Sequence, residues 1–394
     1  MRFKLERINW LLALGFGLGI LIPVLVVFKN FFLPGPLAWG DAQHFFPEEL
    51  RELVGGPLAW TDRGNNFGGL NQFLFIWPLM FAYGLLGNNG LAIRVLFYIP
   101  SIALSLLGPF LLTKYLKVSK IVQFFSVLVY CLNTYYLLLV DGGQVGVALA
   151  YGLFPMTLLY LKKLLDKPSL KAFCLSLVFL LLITTTDPRI AIISLITITL
   201  WQVLEFRIKP LIYLIGLLIC WFTVNLYWIY PLLKNNISGQ LPFSPELKII
   251  SWYNPLALFS PHWPANLFGR VVGPPFYFIV VPILIFGGLL FFKREKRILS
   301  LAFVFLAFVF LASYNFIVRL PLGFAFRDST KFFIPLALFG GILIGNTIEK
   351  LFVILPKRKI TSYFLLLTSY FYLLFLISPA FFGKLNFVLS QRKH

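Results

Sequence analysis

The sequence predicts an all-α polytopic membrane protein: one transmembrane domain over residues 1–394 with about eleven spanning helices. Three observations predict it. Of the residues, 59% are hydrophobic and only 12% are charged, and mean hydropathy is +0.88. Apolar runs of about 20 residues, the length that crosses a hydrocarbon core, recur along the chain. Charges concentrate in the short segments between those runs, as lipid demands, since it satisfies neither charges nor open backbone groups.

The first run, "MRFKLERINWLLALGFGLGILIPVLVVF", starts basic and stays apolar for longer than a signal-peptide core, with no small-residue cleavage site behind it. It is expected to be a retained span over 9–30. The following spans are expected at 91–113, 121–140, 146–161, 170–186, 189–205, 210–230, 274–292, 298–314, 332–349 and 360–378. Residues 68–86, "GGLNQFLFIWPLMFAYGLL", are almost long enough to cross but contain Gln72, Pro78 and several glycines, so they are expected to be re-entrant or to lie along the interface. Charge decides the topology. With eleven spans, one side collects Arg2, Lys4 and Arg7, the "KYLKVSK" cluster, Lys162 to Lys171, Arg207 and Lys209, Lys293 to Arg297, and Lys350 to Lys359, which together hold more than half of the 34 basic residues. That side is expected to be cytoplasmic and to hold the N-terminus. The C-terminal cations Lys384, Arg392 and Lys393 fall on the other side.

The outer side then receives a first loop at 31–90, the turn "DGGQVG", the turn "TTTDPR", a second long loop at 231–273 and the segment "RLPLGFAFRDSTKF". The stretch "LAWGDAQHFFPEEL" in the first loop carries Asp41 and His44, and Asp62 and Arg63 follow. "FFPEELREL" suits a short amphipathic interfacial helix. Glu48, Glu49, Arg51 and Glu52 are accounted for by solvation of that loop. A carboxylate at the membrane boundary, such as Asp41, suits a general base toward a hydroxyl; capping of the next helix accounts for it equally well. Asp141 and Gln144 sit in a glycine-containing turn that lets backbone approach a ligand, or Asp141 caps the helix that follows. Asp187 is expected to cap a helix with Pro188 at its first position. Arg189, a cation at the boundary, is not explained by capping. Arg327 and Lys331 share a face if their stretch is helical, and would either bind a lipid phosphate or snorkel to headgroups.

Several chemistries are excluded. The chain has no Walker A loop, HExxH, paired Cys/His spacing or GxSxG. Cys131, Cys174 and Cys220 all fall in apolar runs and are expected to be inert packing residues. The net charge of +20 is spread between spans rather than gathered on one soluble face, so no nucleic-acid partner is expected. Charges confined to span ends argue against an ion-coupled carrier.

An acidic residue in a large first outer loop, interfacial helices and many spans with outer-side motifs resemble the GT-C superfamily of polyprenyl-phosphate-sugar-dependent glycosyltransferases. More narrowly, "GQVGVALAYGLFPMTLLYLKK" and "FRDSTKFFIPLALFGG" resemble the membrane core of the mycobacterial arabinofuranosyltransferases related to AftD. The chain departs from that pattern in ending after the last span without a large carbohydrate-binding region, and in carrying Asp-Ser-Thr between Arg327 and Lys331. The resemblance implies a GT-C-like bundle in the cell membrane with an extracytoplasmic active site. It implies Asp41 as base, Arg327, Lys331 and Arg189 at the donor phosphate, and His44, Asp62, Arg63, Asp141, Gln144 and Asp187 as acceptor or supporting residues. The polyprenyl tail would lie in grooves between spans. No cofactor is expected, although Asp62 or Asp187 could join Asp41 at a divalent metal. The function implied is transfer of a sugar from a polyprenyl-phosphate donor to a glycan or lipid acceptor among membrane lipids. The alternatives are a lipid or polysaccharide flippase or transporter and a non-catalytic scaffold.

Overall fold

The computed structural model describes residues 2–32, 89–206, 209–234, 250–260, 267–268, 273–290, 295–314, 326, 328–354 and 359–382. Asp41, His44, Asp62, Arg63 and Arg327, the 68–86 segment and the interfacial helices of the first outer loop lie outside these residues. Every regular element among the described residues is helical. In chain order they are α1 (Arg2–Val27), α2 (Leu91–Tyr115), α3 (Lys120–Cys131), α4 (Thr134–Asp141), α5 (Val145–Asp166) and α6 (Leu170–Thr186). They continue as α7 (Pro188–Leu204), α8 (Ile212–Lys234), α9 (Val280–Leu290), α10 (Lys296–Tyr314), α11 (Phe333–Ile354) and α12 (Lys359–Leu376).

Six helical stretches are long and apolar enough to cross a membrane: Leu91–Tyr115, Lys120–Asp141, Val145–Asp166, Ile212–Tyr230, Lys296–Tyr314 and Ser329–Ile354. Five further apolar helices among the described residues are shorter, 10–17 residues each. The protein is thus helical and membrane-like.

α11 and α5 form the centre. α11 is buried without interruption from Phe333 to Ile348, and most of α5 is buried as well. α11 packs on α3, α9 and α10, and α5 packs on α2 and α6. Small residues let the backbones meet. A Cβ at Gly345 would come 2.8 Å from the Val122 Cα of α3, and one at Gly152 would come 2.8 Å from the Ser101 carbonyl oxygen of α2. Lipid tails are as apolar as leucine, so this contact-limited packing, rather than hydrophobicity, holds such helices together.

The span expected at 121–140 is broken in its middle. Asn133 adopts an extended backbone between α3 and α4, and its side chain satisfies both ends of the break. Its amide nitrogen donates to the carbonyls of Val129 at 3.0 Å and Tyr130 at 2.8 Å, and its Oδ1 accepts from the Tyr136 backbone N–H at 3.0 Å. A break at membrane depth is tolerated because the freed backbone groups find partners. Next to it, residues 250–260 of the second long loop turn into the bundle. Leu258, in the left-handed region at φ 51°, reaches α11, where its side chain lies about 3.0 Å from a Cβ built on Gly340. The Thr134 hydroxyl fastens this turn, donating to the Leu258 carbonyl at 2.8 Å and accepting from the Ser260 N–H at 2.9 Å.

The expectation for the cysteines holds at one position. Cys131 is buried, Cys220 is partly buried and Cys174 is exposed, because Cys174 lies on the outer face of α6. None forms a disulfide.

Candidate functional site

The helices run up and down, so charges collect at two ends. At one end Lys162, 3% exposed, pairs with Glu205 at 2.7 Å and with Asp166 at 3.1 Å. Trp201 Nε1 donates to Glu205 Oε1 at 2.9 Å, and the Tyr115 hydroxyl donates to Asp166 Oδ2 at 3.0 Å. Lys162, Asp166 and Glu205 thus answer one another's charges, as a structural pin requires.

The opposite end is where the sequence placed its motifs, and three of its segments converge. The first is the α6–α7 junction. The backbone breaks at Asp187 because Pro188 disfavours a helical residue before it and then suits the first helical position. Asp187 Oδ1 accepts from the Arg189 N–H at 3.0 Å, which is the expected cap. The same carboxylate takes a bidentate fork from Arg189, Nε to Oδ1 at 2.8 Å and a terminal nitrogen to Oδ2 at 2.7 Å. The Asp187 side chain is 1% exposed and that of Arg189 is 32% exposed. Burial pushes the Asp187 carboxyl up, but the Arg189 guanidinium, with Lys331 and the backbone N–H adding to it, brings it below its ordinary value.

The second segment is the 3-10 turn Ser329–Phe332 that leads into α11. Asp328 caps it, accepting from the Thr330 N–H at 3.1 Å and the Thr330 hydroxyl at 2.6 Å. Lys331 reaches the other Asp328 oxygen at 3.5 Å, with its side chain 5% exposed. Arg327 lies outside the described residues, so its pairing with Lys331 is not described; of the two roles expected for Lys331, snorkelling is the one the structure answers. Lys331 is buried in protein and does not snorkel to headgroups. The third segment is the start of α4, where Tyr135 is 1% exposed and its ring stacks on Phe333 at 5.8 Å. Asp187, Arg189 and Asp328 all act electrostatically on the Tyr135 hydroxyl, which lies beside Thr330.

Asp141 and Gln144 stand in the turn between α4 and α5 at this end of the bundle. Asp141 ends α4 rather than capping α5: the position before α5 belongs to Gln144, whose side chain makes no cap hydrogen bond, and the chain reverses through Gly143 at φ 70°. Sequence reasoning found Asp187, Arg189 and Lys331 and missed Tyr135 and the capping role of Asp328. Asp328 carried a signal, an acid followed by Ser-Thr before an apolar run. Tyr135 carried none, being one aromatic among many in an apolar segment.

Among the described residues no group of three or more His, Cys, Asp or Glu side chains is placed to hold a metal ion. Near the α3–α4 break, Thr134, Leu258, Val281 and Ile377 border an apolar cavity of about 30 Å³, far too small for a polyprenyl chain. What this cluster offers is an array of donors, the guanidinium, the ammonium and the phenol, set against two carboxylates. Compared with known protein families, characterised proteins and solved structures, the chain matches none.

Proposed function

We propose that this chain is a membrane glycosyltransferase of GT-C type, an eleven-span bundle in the cell membrane with its N-terminus cytoplasmic, that moves a sugar from a polyprenyl-phosphate donor to an extracytoplasmic glycan or lipid acceptor. The observation that carries the reading is the convergence of Arg189 and Lys331, far apart in sequence, on one partly buried cluster at a single end of the bundle. Two cations held there suit a phosphate at the membrane boundary. In the reaction, the acceptor hydroxyl attacks the anomeric carbon, Asp41 takes the hydroxyl proton, and the bond from that carbon to the phosphate oxygen breaks. The polyprenyl phosphate leaves with the electron pair, and the cations stabilise the charge that develops on it. No activating nucleotide is needed, since the donor carries its own leaving group.

Purified protein supplied with polyprenyl-phosphate-linked sugars tests this. Arg189→Ala and Lys331→Met should each weaken binding of the donor phosphate by roughly ten- to a hundredfold, the range of a lost hydrogen bond to a charged group. Arg189→Lys should recover part of the loss, because lysine lacks the fork. Asp41→Asn should bind donor normally and transfer no sugar. Movement of the intact lipid across a vesicle without transfer would replace this reading with the flippase one.

A further inference from the structure

The hydroxyl of Tyr135 is buried and has no hydrogen-bond partner among the described residues. Leaving a buried donor unmade costs more than a typical hydrogen bond contributes, so such a group calls for a reason. Packing accounts for the ring, which stacks on Phe333, and a phenylalanine would stack equally well. The oxygen is unexplained by packing. Around it, the Thr330 hydroxyl proton is committed to Asp328, and both oxygens of Asp187 are engaged by Arg189. The Lys331 ammonium has three donors and one long contact, 3.5 Å to Asp328. The fork to Asp187 uses Nε and one terminal nitrogen of Arg189, which leaves the other terminal nitrogen outside that pair.

The cluster therefore holds three under-used donors. Both Asp187 oxygens are engaged by Arg189, and the acceptor beside the phenol is the neutral Thr330 hydroxyl oxygen. A tetrahedral oxyanion with several acceptor oxygens is the ligand that such a set lacks, and lipid-linked phosphate esters have this shape and charge, both as the sugar-bearing donor and as the polyprenyl phosphate it leaves. We infer that Tyr135 is a specificity-determining residue whose hydroxyl donates to the phosphate held by Arg189 and Lys331. This rests on the donor-phosphate reading of the same cluster and extends it to a residue on a third segment. The phenol adds a direction that two flexible cations do not supply, because it is fixed by the stack on Phe333.

The test uses the full chain in detergent, with farnesyl phosphate, farnesol and inorganic phosphate as probes. Tyr135→Phe should weaken farnesyl phosphate binding roughly tenfold or more while farnesol affinity is unchanged. An equal weakening of inorganic phosphate binding assigns the phenol to a phosphate from solution; a loss confined to farnesyl phosphate assigns it to a lipid headgroup. Wild-type affinity for both phosphates in Tyr135→Phe, with Arg189→Ala weakened, overturns this inference and leaves the donor site standing. Wild-type affinity in both variants overturns the donor site and this inference together. If Tyr135→Phe also lowers thermal stability, the farnesol arm decides: loss of phosphate binding alone upholds the role, whereas equal loss of farnesol and farnesyl phosphate shows a packing defect and overturns it.

Discussion

Asp187 shows how one side chain carries two separable loads. It caps α7 through the Arg189 N–H and pairs with the Arg189 guanidinium. Asparagine caps nearly as well as aspartate, so Asp187→Asn removes the ion pair and leaves the cap, while Asp187→Ala removes both. Asp187→Asn should cost on the order of 2 kcal/mol, below the full penalty for breaking a buried pair because Arg189 is partly exposed. Asp187→Ala should cost about 1 kcal/mol more. The pH dependence has a definite sign. The folded carboxyl sits below its ordinary value, so its contribution is complete above that value and is lost as pH falls through the folded one. Thermal unfolding in detergent should therefore separate wild type from Asp187→Asn at about pH 7 and progressively less as the medium is acidified below about pH 4. A gap that stays constant would remove the ion pair as its cause. The residue scale was partly legible in the sequence. Asp-Pro-Arg after an apolar run announces a cap and a boundary cation, whereas Tyr135 acquires meaning only when Asp187, Arg189 and Asp328 are folded around it.

At the scale of elements, hydropathy made the helices legible and left their interruptions hidden. Nothing in "KIVQFFSVLVYCLNTYYLLLVD" lowers hydropathy enough to mark a break, yet Asn133 opens one because its amide can serve carbonyls behind it and an N–H ahead of it. The turn at 250–260 was hidden for a similar reason: its anchor is one threonine hydroxyl in another helix. Helix-to-helix distance was also invisible, though the glycines that set it were not. Gly345→Ala should destabilise by about 1–3 kcal/mol despite the better helix propensity of alanine, because its Cβ would press on backbone of α3 that has no room to rotate away. Gly17→Ala is the matched control, with nothing within 4 Å of the added carbon. It should leave thermal stability within about 0.5 kcal/mol of wild type. Equal effects at the two sites would show that close approach does not govern this packing.

For the whole molecule, the separation of charges between the two ends sets a topology that can be checked directly. In a background with Cys131, Cys174 and Cys220 replaced by alanine, a membrane-impermeant maleimide should label Gly142→Cys on intact cells and Val118→Cys only after permeabilisation. Labelling of Val118→Cys from outside would invert the bundle and put the Arg189 and Lys331 cluster in the cytoplasm. The positive-inside count predicts this orientation from sequence, but the count does not reveal that the two ends differ in kind. One is closed by mutual pairing of Lys162, Asp166 and Glu205, and the other keeps donors in reserve.

α7 joins those ends. The fork between Asp187 and Arg189 stiffens its first turn and, just past its last residue, Glu205 ties it to Lys162 of α5. Mechanically it is a strut pinned to α5 at one joint. If the cluster opens to admit a ligand, the moving part is the segment 250–260, fastened by the Thr134 hydroxyl, because the Ser329–Phe332 turn is held to α10 by the Ser329 hydroxyl donating to the Ala312 carbonyl at 2.8 Å.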